Sequence, residues 1–316
     1  MRNLRAFIRA IAVILTIASA TAWAASQELP PLPALVQEST DLVEPAFRPP
    51  HELPPVSVLS PVKAWPGWQQ FLAYREALRW FGGIILGLMV LLVLTHFAIY
   101  GYHHVRPTGR MVKRYSWVEV LLHDLLALSF VGAWVSSTYL VLAKYVLEYG
   151  EEELAVPFGR LTSTVHIASG LLFLGSLVAL AVIWRPAMRF VSYDRDWLKR
   201  LGGYFSRGHQ ILPAGKFNAG QKIWFYVSIL LGILVSVSGA LIYYPALLGL
   251  RWGILLYAVH TALAVASSAM VIGHVYLAVL AHPRAVRAII TGEMDEACLR
   301  EDHPLEKIPE AGEQAR

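Results

Sequence analysis

The sequence is short of charge and almost without cysteine. Only 16% of its 316 residues are charged, whereas 56% are hydrophobic and the mean hydropathy is +0.50. Because soluble domains carry about 25% charged residues, these values exclude an ordinary soluble enzyme and a disordered chain. The net charge of +5 is therefore expected to mark the cytoplasmic loops of a membrane protein and not a nucleic-acid-binding surface.

The single cysteine, Cys298, excludes a disulfide framework and a cysteine-ligated iron–sulfur cluster within this chain. The sequence also lacks the C-x-x-C-H motif of covalently attached haem. Any redox cofactor must therefore be held by other residues, which draws attention to the eleven histidines.

The N-terminus has the pattern of a secretory signal peptide. Arg2, Arg5 and Arg9 precede the apolar run 11–20, and residues 22–24 have the small-x-small pattern of a cleavage site. We therefore predict a signal peptide at 1–24, the alternative being an uncleaved anchor helix. The proline-rich segment that follows predicts an extended periplasmic arm over 25–80, with His51 in solvent.

Five apolar stretches are each long enough to cross a bilayer, which needs about 20 helical residues. They predict an all-α integral membrane protein, and the first corresponds to a helix at 81–101. Aromatic residues such as Trp184 and Trp224 gather at the span ends, as expected for interfacial anchors. The predicted spans are 82–100, 117–142, 160–184, 223–244 and 253–280.

Loop charges predict the orientation of these spans. The first loop (101–116) and the third (185–222) are basic, whereas the second (143–159) is acidic. The positive-inside rule then places the basic loops and the C-terminus in the cytoplasm. An exported N-terminus followed by five spans requires the same arrangement.

Five histidines lie within the predicted spans, where ionisable residues are costly and usually functional. For any one of them, the alternative is a neutral imidazole hydrogen-bonded to a neighbouring helix. His260 and His274 are 14 residues apart in the last span, hence within roughly 40° of one helix face and roughly 21 Å apart along it. That spacing suits two haems stacked across the bilayer. The five are His96, His123, His166, His260 and His274.

Depth predicts which histidines would share a haem. The direction of each span puts His166 level with His260 and His123 level with His274. We therefore predict two bis-histidine haem b sites; zinc is disfavoured because neither pair has a third ligand. His96 has no partner at its depth and is predicted to be structural. His103 and His104, in a basic loop, are predicted to face solvent or lipid.

A polar loop precedes the fourth span. Asn218 is a good helix N-cap, and Gln221 three residues later completes a variant of the capping box. A helix N-terminus with free N–H groups, an Asn amide and glycine access can also bind a quinone carbonyl. This loop and His274 are predicted to lie on the same side of the membrane.

Residues 215–222, Gly-Lys-Phe-Asn-Ala-Gly-Gln-Lys, resemble the signature of the cytochrome b (gamma) subunit of respiratory formate dehydrogenases. The positions of His123, His166 and the His260/His274 pair also match, and the resemblance covers about residues 115–305. The loop string is its specific part, because membrane histidines alone also fit the cytochrome b subunits of hydrogenases. Compact members of the family lack the signal peptide, the arm and the first span.

The resemblance implies a di-haem four-helix bundle built from spans two to five (115–284), followed by a cytoplasmic tail (285–316), in a bacterial inner membrane. It implies electrons that arrive from a periplasmic iron–sulfur (beta) subunit, cross two b haems, and reduce menaquinone or ubiquinone. The quinone site would be lined by Asn218, Gly220, Gln221 and His274. Formate oxidation would belong to a molybdenum or tungsten catalytic (alpha) subunit, since this chain has no formate site.

Two alternatives remain open from the sequence. The first is a cytochrome b subunit of a membrane-bound hydrogenase or a related oxidoreductase. The second is a non-redox transporter or anchor that uses its histidines as a proton relay. It predicts no chromophore, and it has little support because no charged residue sits at mid-span and no span is broken at its centre.

Overall fold

Long helices account for most of the structure, which is a computed structural model describing residues 68–102, 104–149, 152–206, 210–243 and 249–308. The predicted signal peptide, the arm as far as residue 67, and His51 and His103 lie outside these residues. In chain order the elements are α1 (Trp68–Tyr100), β1 (Met111–Lys113), α2 (Trp117–Tyr149), α3 (Glu152–Trp184), α4 (Asp194–Lys199), α5 (Ala219–Tyr243), α6 (Gly249–Val275), a π-helical segment (Tyr276–Ala281), α7 (Ala285–Thr291), β2 (Glu293–Asp295) and α8 (Glu296–Asp302).

Five of these helices are long and apolar enough to cross a membrane, as the sequence predicted. The all-α fold class is confirmed as well, since β1 and β2 are the only strands in the described part of the chain. The membrane-spanning segments are Glu76–Tyr100, Trp117–Thr138, Leu161–Trp184, Ala219–Ile242 and Leu255–Ala281.

The helices extend beyond the predicted spans. The first begins at Trp68, so residues 68–80 of the predicted arm are helical. The predicted second loop, 143–159, is largely helical too, because α2 continues to Tyr149 and α3 begins at Glu152. The hydropathy pattern ends where polar residues reach the membrane surface. The helix continues because its backbone hydrogen bonds close within the helix on either side of that boundary.

The membrane helices pack in a definite order. Helix α2 packs on α3, α3 on α5, α5 on α6, and α6 on α1. At the contact between α3 and α5, a Cβ on Gly232 would collide with Leu177 and press on Phe173. The absence of a side chain at that position therefore lets the two helices approach closely.

A folded unit covers one end of the helices; we call it the cap, and define it as residues 104–116, 185–206, 210–218 and 282–308. Strands β1 and β2 pair antiparallel within it, with Val112 opposite Met294. Its apolar core comprises Val105, Val112, Tyr115, Met188, Phe217, Ala288, Met294, Cys298 and Leu299. The segment predicted simply as a tail therefore contains two helices and a strand as far as residue 302.

Polar contacts fasten the tail to the two loops. The Asp295 side chain accepts hydrogen bonds from the backbone N–H of Thr108, Gly109 and Ala297. Burial opposes its ionisation, but these hydrogen bonds outweigh that effect and lower the pKa of Asp295. His303 is buried and contacts the Gly215 carbonyl through Nδ1 at 2.7 Å. The tail thus holds the loop that leads into α5.

Candidate functional site

The structure brings the four membrane histidines together in the predicted pairs. The rings of His166 and His260 have centroids 6.2 Å apart and planes at 79°. The rings of His123 and His274 have centroids 6.4 Å apart and planes at 48°. We call the second the cap-side pair, because α2 starts and α6 ends beside the cap, and the first the far pair.

The separation of the rings fits one metal between two imidazoles. A metal–imidazole bond of about 2.0 Å on each side, added to the distance from each nitrogen to its ring centre, places two axial ligands roughly 6 Å apart between centroids. Both pairs have that spacing. The donor set is also suitable, since neutral imidazole is a usual axial ligand of haem iron.

In the far pair, each ring uses Nδ1 for a hydrogen bond to a neighbouring helix. His166 Nδ1 lies 3.0 Å from the Ala133 carbonyl, and His260 Nδ1 lies 2.9 Å from the Val235 carbonyl. Carbonyl oxygens only accept, so Nδ1 carries the proton in both rings. The Nε2 lone pair of each histidine is then the one available to a metal.

The cap-side pair is held differently. His274 stacks on Trp224, with centroids 4.7 Å apart and planes at 14°. His123 Nδ1 is buried without a hydrogen-bond partner in the described part of the chain, and lies 3.9 Å from Asp124 Oδ1. The helix that carries His274 changes to π geometry directly afterwards, at Tyr276. Such π-helical turns are frequent at functional sites.

Space beside the far histidines is consistent with a planar group between the helices. A Cβ on Gly170, one turn after His166, would meet nothing within 4 Å, whereas one on Gly239 would lie 3.0 Å from His260 Cε1. In the described residues, α6 packs extensively on α5 and α1 but not on α2 or α3, which carry the partner histidines. The residues present therefore fit a haem at each pair.

The remaining histidines do not join these pairs. His96 contacts the Tyr276 hydroxyl through Nδ1 and the Tyr204 carbonyl through Nε2, at 3.0 Å for the latter. With both nitrogens engaged, His96 links α1 to the π-helical segment and to the cap. His104 is exposed. Across the described ranges, no three His, Cys, Asp or Glu side chains form a group that could hold a metal ion by themselves.

The loop before α5 forms the predicted capping box. The Asn218 backbone N–H donates to Gln221 Oε1, and the Gln221 backbone N–H donates to Asn218 Oδ1, both at 2.9 Å. Gly220 packs against Trp197, whose ring a Cβ would strike. Its lack of a side chain is thus required by packing. One turn further along α5 lies Trp224, which connects this helix start to His274.

A buried carboxylate joins the same loop to the helix of His123. Glu119, one turn before His123 on α2, accepts hydrogen bonds from Lys216 Nζ at 2.6 Å and Trp184 Nε1 at 2.8 Å. Lys222 pairs with Asp194 in a second ion pair at 2.7 Å, in which both side chains are buried. The sequence pattern did not single out Glu119 as a functional residue. Its position one helical turn from a ligand candidate was the available signal.

Comparison with known proteins agrees with this geometry. The sequence model of one family, prokaryotic cytochrome b561, matches residues 114–292, which is more than half of the chain. The chain belongs to the prokaryotic cytochrome b561 family. It is therefore a multi-pass membrane cytochrome of b type, an electron-transfer subunit that binds haem b. No curated protein matches the chain.

The matched region includes all four paired histidines and the loop before α5. It begins just before α2 and ends after α7, so α1 lies outside it. The cytochrome b561 match favours the redox alternatives over a non-redox transporter or anchor. It is compatible with more than one kind of parent complex.

Proposed function

We propose that this cytochrome is the membrane subunit of a formate dehydrogenase and passes electrons from an iron–sulfur subunit, through two b haems, to quinone. The observation that carries the electron path in this proposal is the presence of two facing imidazole pairs at two depths, with α6 supplying one ring to each. Haem b supplies a one-electron carrier when bound. Two such carriers along one helix make a path across the membrane.

The residues divide into two haem sites. His166 and His260 would hold the far haem, and His123 and His274 the cap-side haem. The Ala133 and Val235 carbonyls fix the far imidazoles with Nδ1 protonated. Trp224 fixes the plane of the His274 ring by stacking.

The quinone would bind where α5 begins, beside the cap-side haem. The capping box uses Asn218 Oδ1 and Gln221 Oε1, so the amide NH₂ groups of these residues are the donors for a quinone carbonyl. Gly220 keeps the turn narrow against Trp197. His274 completes the set through its stack with Trp224. Menaquinone and ubiquinone both present the carbonyl that such donors recognise.

The choice of formate dehydrogenase over hydrogenase rests on residues 215–222, which resemble the signature of the formate dehydrogenase cytochrome b subunit. In this assignment the far pair faces the periplasm, where it would receive electrons from an iron–sulfur subunit. That subunit would in turn receive them from a molybdenum or tungsten subunit. The cap, with its exposed basic residues, faces the cytoplasm. Quinone reduction would then take protons from the cytoplasm while formate is oxidised outside, which makes the complex electrogenic.

The test is purification of the complex from native membranes. We expect co-purification of an iron–sulfur protein and a molybdenum or tungsten protein, two b haems per chain, and reduction of both haems by formate. Reduction by hydrogen and not by formate, with hydrogenase subunits present, would instead establish a cytochrome b subunit of a hydrogenase. Asn218→Ala should slow quinone reduction while both haems remain reducible by formate.

A further inference from the structure

Both histidines of the far pair have the same set of hydrogen-bond acceptors on the neighbouring helix. The first set lies in the hairpin of α2 and α3. His166 Nδ1 lies 3.0 Å from the Ala133 carbonyl and 3.1 Å from Ser136 Oγ. The two acceptors are three residues apart on one face of α2. The Ser136 hydroxyl donates to the Gly132 carbonyl at 2.6 Å, so its oxygen lone pair is the part directed at the imidazole.

The hairpin of α5 and α6 repeats this arrangement. His260 Nδ1 lies 2.9 Å from the Val235 carbonyl and 3.1 Å from Ser238 Oγ, again with the two acceptors three residues apart. The Ser238 hydroxyl donates to the Val235 carbonyl at 3.0 Å. Both serines are buried, Ser136 in α2 and Ser238 in α5. Both histidines of the far pair therefore have a carbonyl and a serine hydroxyl against Nδ1.

Two acceptors on one N–H have a chemical consequence. They fix the tautomer and ring orientation, and they draw the Nδ1 proton toward oxygen, which makes Nε2 a more basic ligand. A more basic ligand stabilises ferric over ferrous iron and so lowers the midpoint potential. At the cap-side pair, His123 Nδ1 makes no hydrogen bond within the described residues and lies 3.9 Å from Asp124 Oδ1. The two short contacts made by each far ligand are therefore not repeated at His123.

We propose that Ser136 and Ser238 are positioning residues that hold the far haem at a lower midpoint potential than the cap-side haem. The proposal rests on the proposed function in assuming one haem at each pair. An electron that enters at the far pair would then move downhill to the cap-side pair, one electron leaving ferrous iron and reducing ferric iron. The serines thereby give the path its direction.

The test is potentiometric titration of the full chain loaded with haem, in wild type and in the Ser136→Ala, Ser238→Ala and double variants. Matched controls are Ser176→Ala and Ser268→Ala, because these buried hydroxyls bond to carbonyls of their own helices. Threonine at 136 and 238 retains the hydroxyl and serves as the conservative variant. Haem is counted by pyridine haemochrome in every sample.

Electron paramagnetic resonance identifies which haem responds. The far rings are close to perpendicular and the cap-side rings are not. Near-perpendicular axial imidazoles give ferric low-spin haem a larger maximum g value, so the two signals are distinguishable. Loss of a serine should also change the far signal, because the ring is less constrained.

We expect the double variant to raise the far potential by the equivalent of about a tenfold change in the ferrous-to-ferric ratio, or about 59 mV for one electron. The single variants should shift it less, the threonine variants and controls should remain at the wild-type value, and the cap-side potential should not move. Selective loss of the far signal in the alanine variants, with retention in threonine variants and controls, would also support the proposal.

Unchanged potentials and signals in a double variant that retains two haems would overturn the proposal and leave the proposed function intact. A wild-type far potential equal to or above the cap-side potential would also overturn it. By contrast, fewer than two haems in the wild type would count against the proposed function itself. The haem count thus separates the two kinds of failure.

Discussion

The far and cap-side histidine pairs have nearly the same ring separation but different surroundings. At the far pair, hydrogen bonds from two successive hairpins fix both rings. At the cap-side pair, an indole stacks on one ring and no hydrogen bond reaches Nδ1 of the other within the described residues. The two pairs thus have nearly the same ring separation although different contacts fix the orientation of their imidazoles.

The difference follows from what lies beyond each pair. The far pair is flanked by small and hydroxyl side chains within the membrane helices. The cap-side pair lies one turn from Glu119 and beneath a cap with ion pairs that include Lys216 with Glu119, which is partly exposed, and Lys222 with Asp194, which is buried. The quinone site proposed beside the cap-side pair would need such polar neighbours for proton exchange, whereas a site that only relays electrons would not.

Removal of one histidine from either pair should have the largest effect, which is the loss of the haem at that pair. We expect His260→Ala to lose the far haem alone and His274→Ala to lose the cap-side haem alone, because each pair forms an independent site. Pyridine haemochrome should fall from two haems per chain to one in each variant. His104→Ala, at an exposed position, is the matched control and should retain both. Loss of both haems from either ligand variant would show that the sites depend on each other.

Crowding should also affect the far pair selectively. A Cβ at Gly239 would lie 3.0 Å from the His260 ring. Because overpacking costs about 1–3 kcal/mol, Gly239→Ala should weaken retention of the far haem by about tenfold. At Gly273 the Cβ would meet the mobile end of Met89, which can move. Gly273→Ala should therefore leave both haems in place during competition with apomyoglobin, and equal losses from the two variants would argue against this account.

The amide of Asn218 should affect quinone chemistry on the cap side without disturbing the far pair. Asn218→Ala removes both the cap and the NH₂ donor, whereas Asn218→Ser keeps an N-cap oxygen. We expect both variants to slow quinone reduction by about tenfold, which corresponds to one hydrogen bond of about 1.4 kcal/mol. Only the alanine variant should also lose about 1 kcal/mol of helix stability, seen as a lower midpoint in thermal unfolding. Normal quinone reduction by the Asn218→Ser variant would show that the Asn218 amide does not bind quinone.

The smallest expected effect is a pH dependence of the cap. Burial, reinforced by the charge of Arg114, lowers the pKa of His303 well below 6.5. A detached tail takes up a proton near pH 6.5 and the folded tail does not, so the cap loses stability as the pH falls below that value. Hydrogen-exchange protection of residues 296–303, measured relative to the intrinsic exchange rate at each pH, should therefore fall between pH 7.5 and pH 6, while the protection of α3 does not change.

His303→Asn is the control for this pH effect, because it keeps a donor for the Gly215 carbonyl without titrating near neutrality. Burial raises the pKa of Glu306, which gives the opposite trend, so the comparison with the Asn variant isolates the histidine. Identical pH profiles for the two proteins would assign the effect to another group.

Much of the membrane region could be predicted from the sequence because its signals are local. The five spans follow from apolar runs, and the spacing of His260 and His274 follows from helix geometry alone. Depth then selected the two partners that the structure brings to 6.2 and 6.4 Å. The capping box of Asn218 and Gln221 is also local. That each pair binds haem remains a prediction from spacing and family.

The supporting residues could not be predicted because they depend on which helices face each other. Ser136 and Ser238 are ordinary small residues until α3 and α6 place imidazoles against them. Trp224 has the sequence position of an interfacial anchor, and only the packing of α5 on α6 shows its stack on His274. The cap depends on contacts between residues far apart in the chain, and local sequence patterns do not predict such contacts.

The pairing of β1 with β2 has a consequence for how the protein is made. The strand in the first loop, 111–113, emerges early in synthesis, and its partner, 293–295, emerges only after the last membrane helix. Until then the early strand has an unpaired edge, which is a site for aggregation and proteolysis. This small sheet can therefore close only after the last of the described membrane helices has been synthesised. A chain truncated before residue 293 would keep the four paired histidines but could not form this sheet.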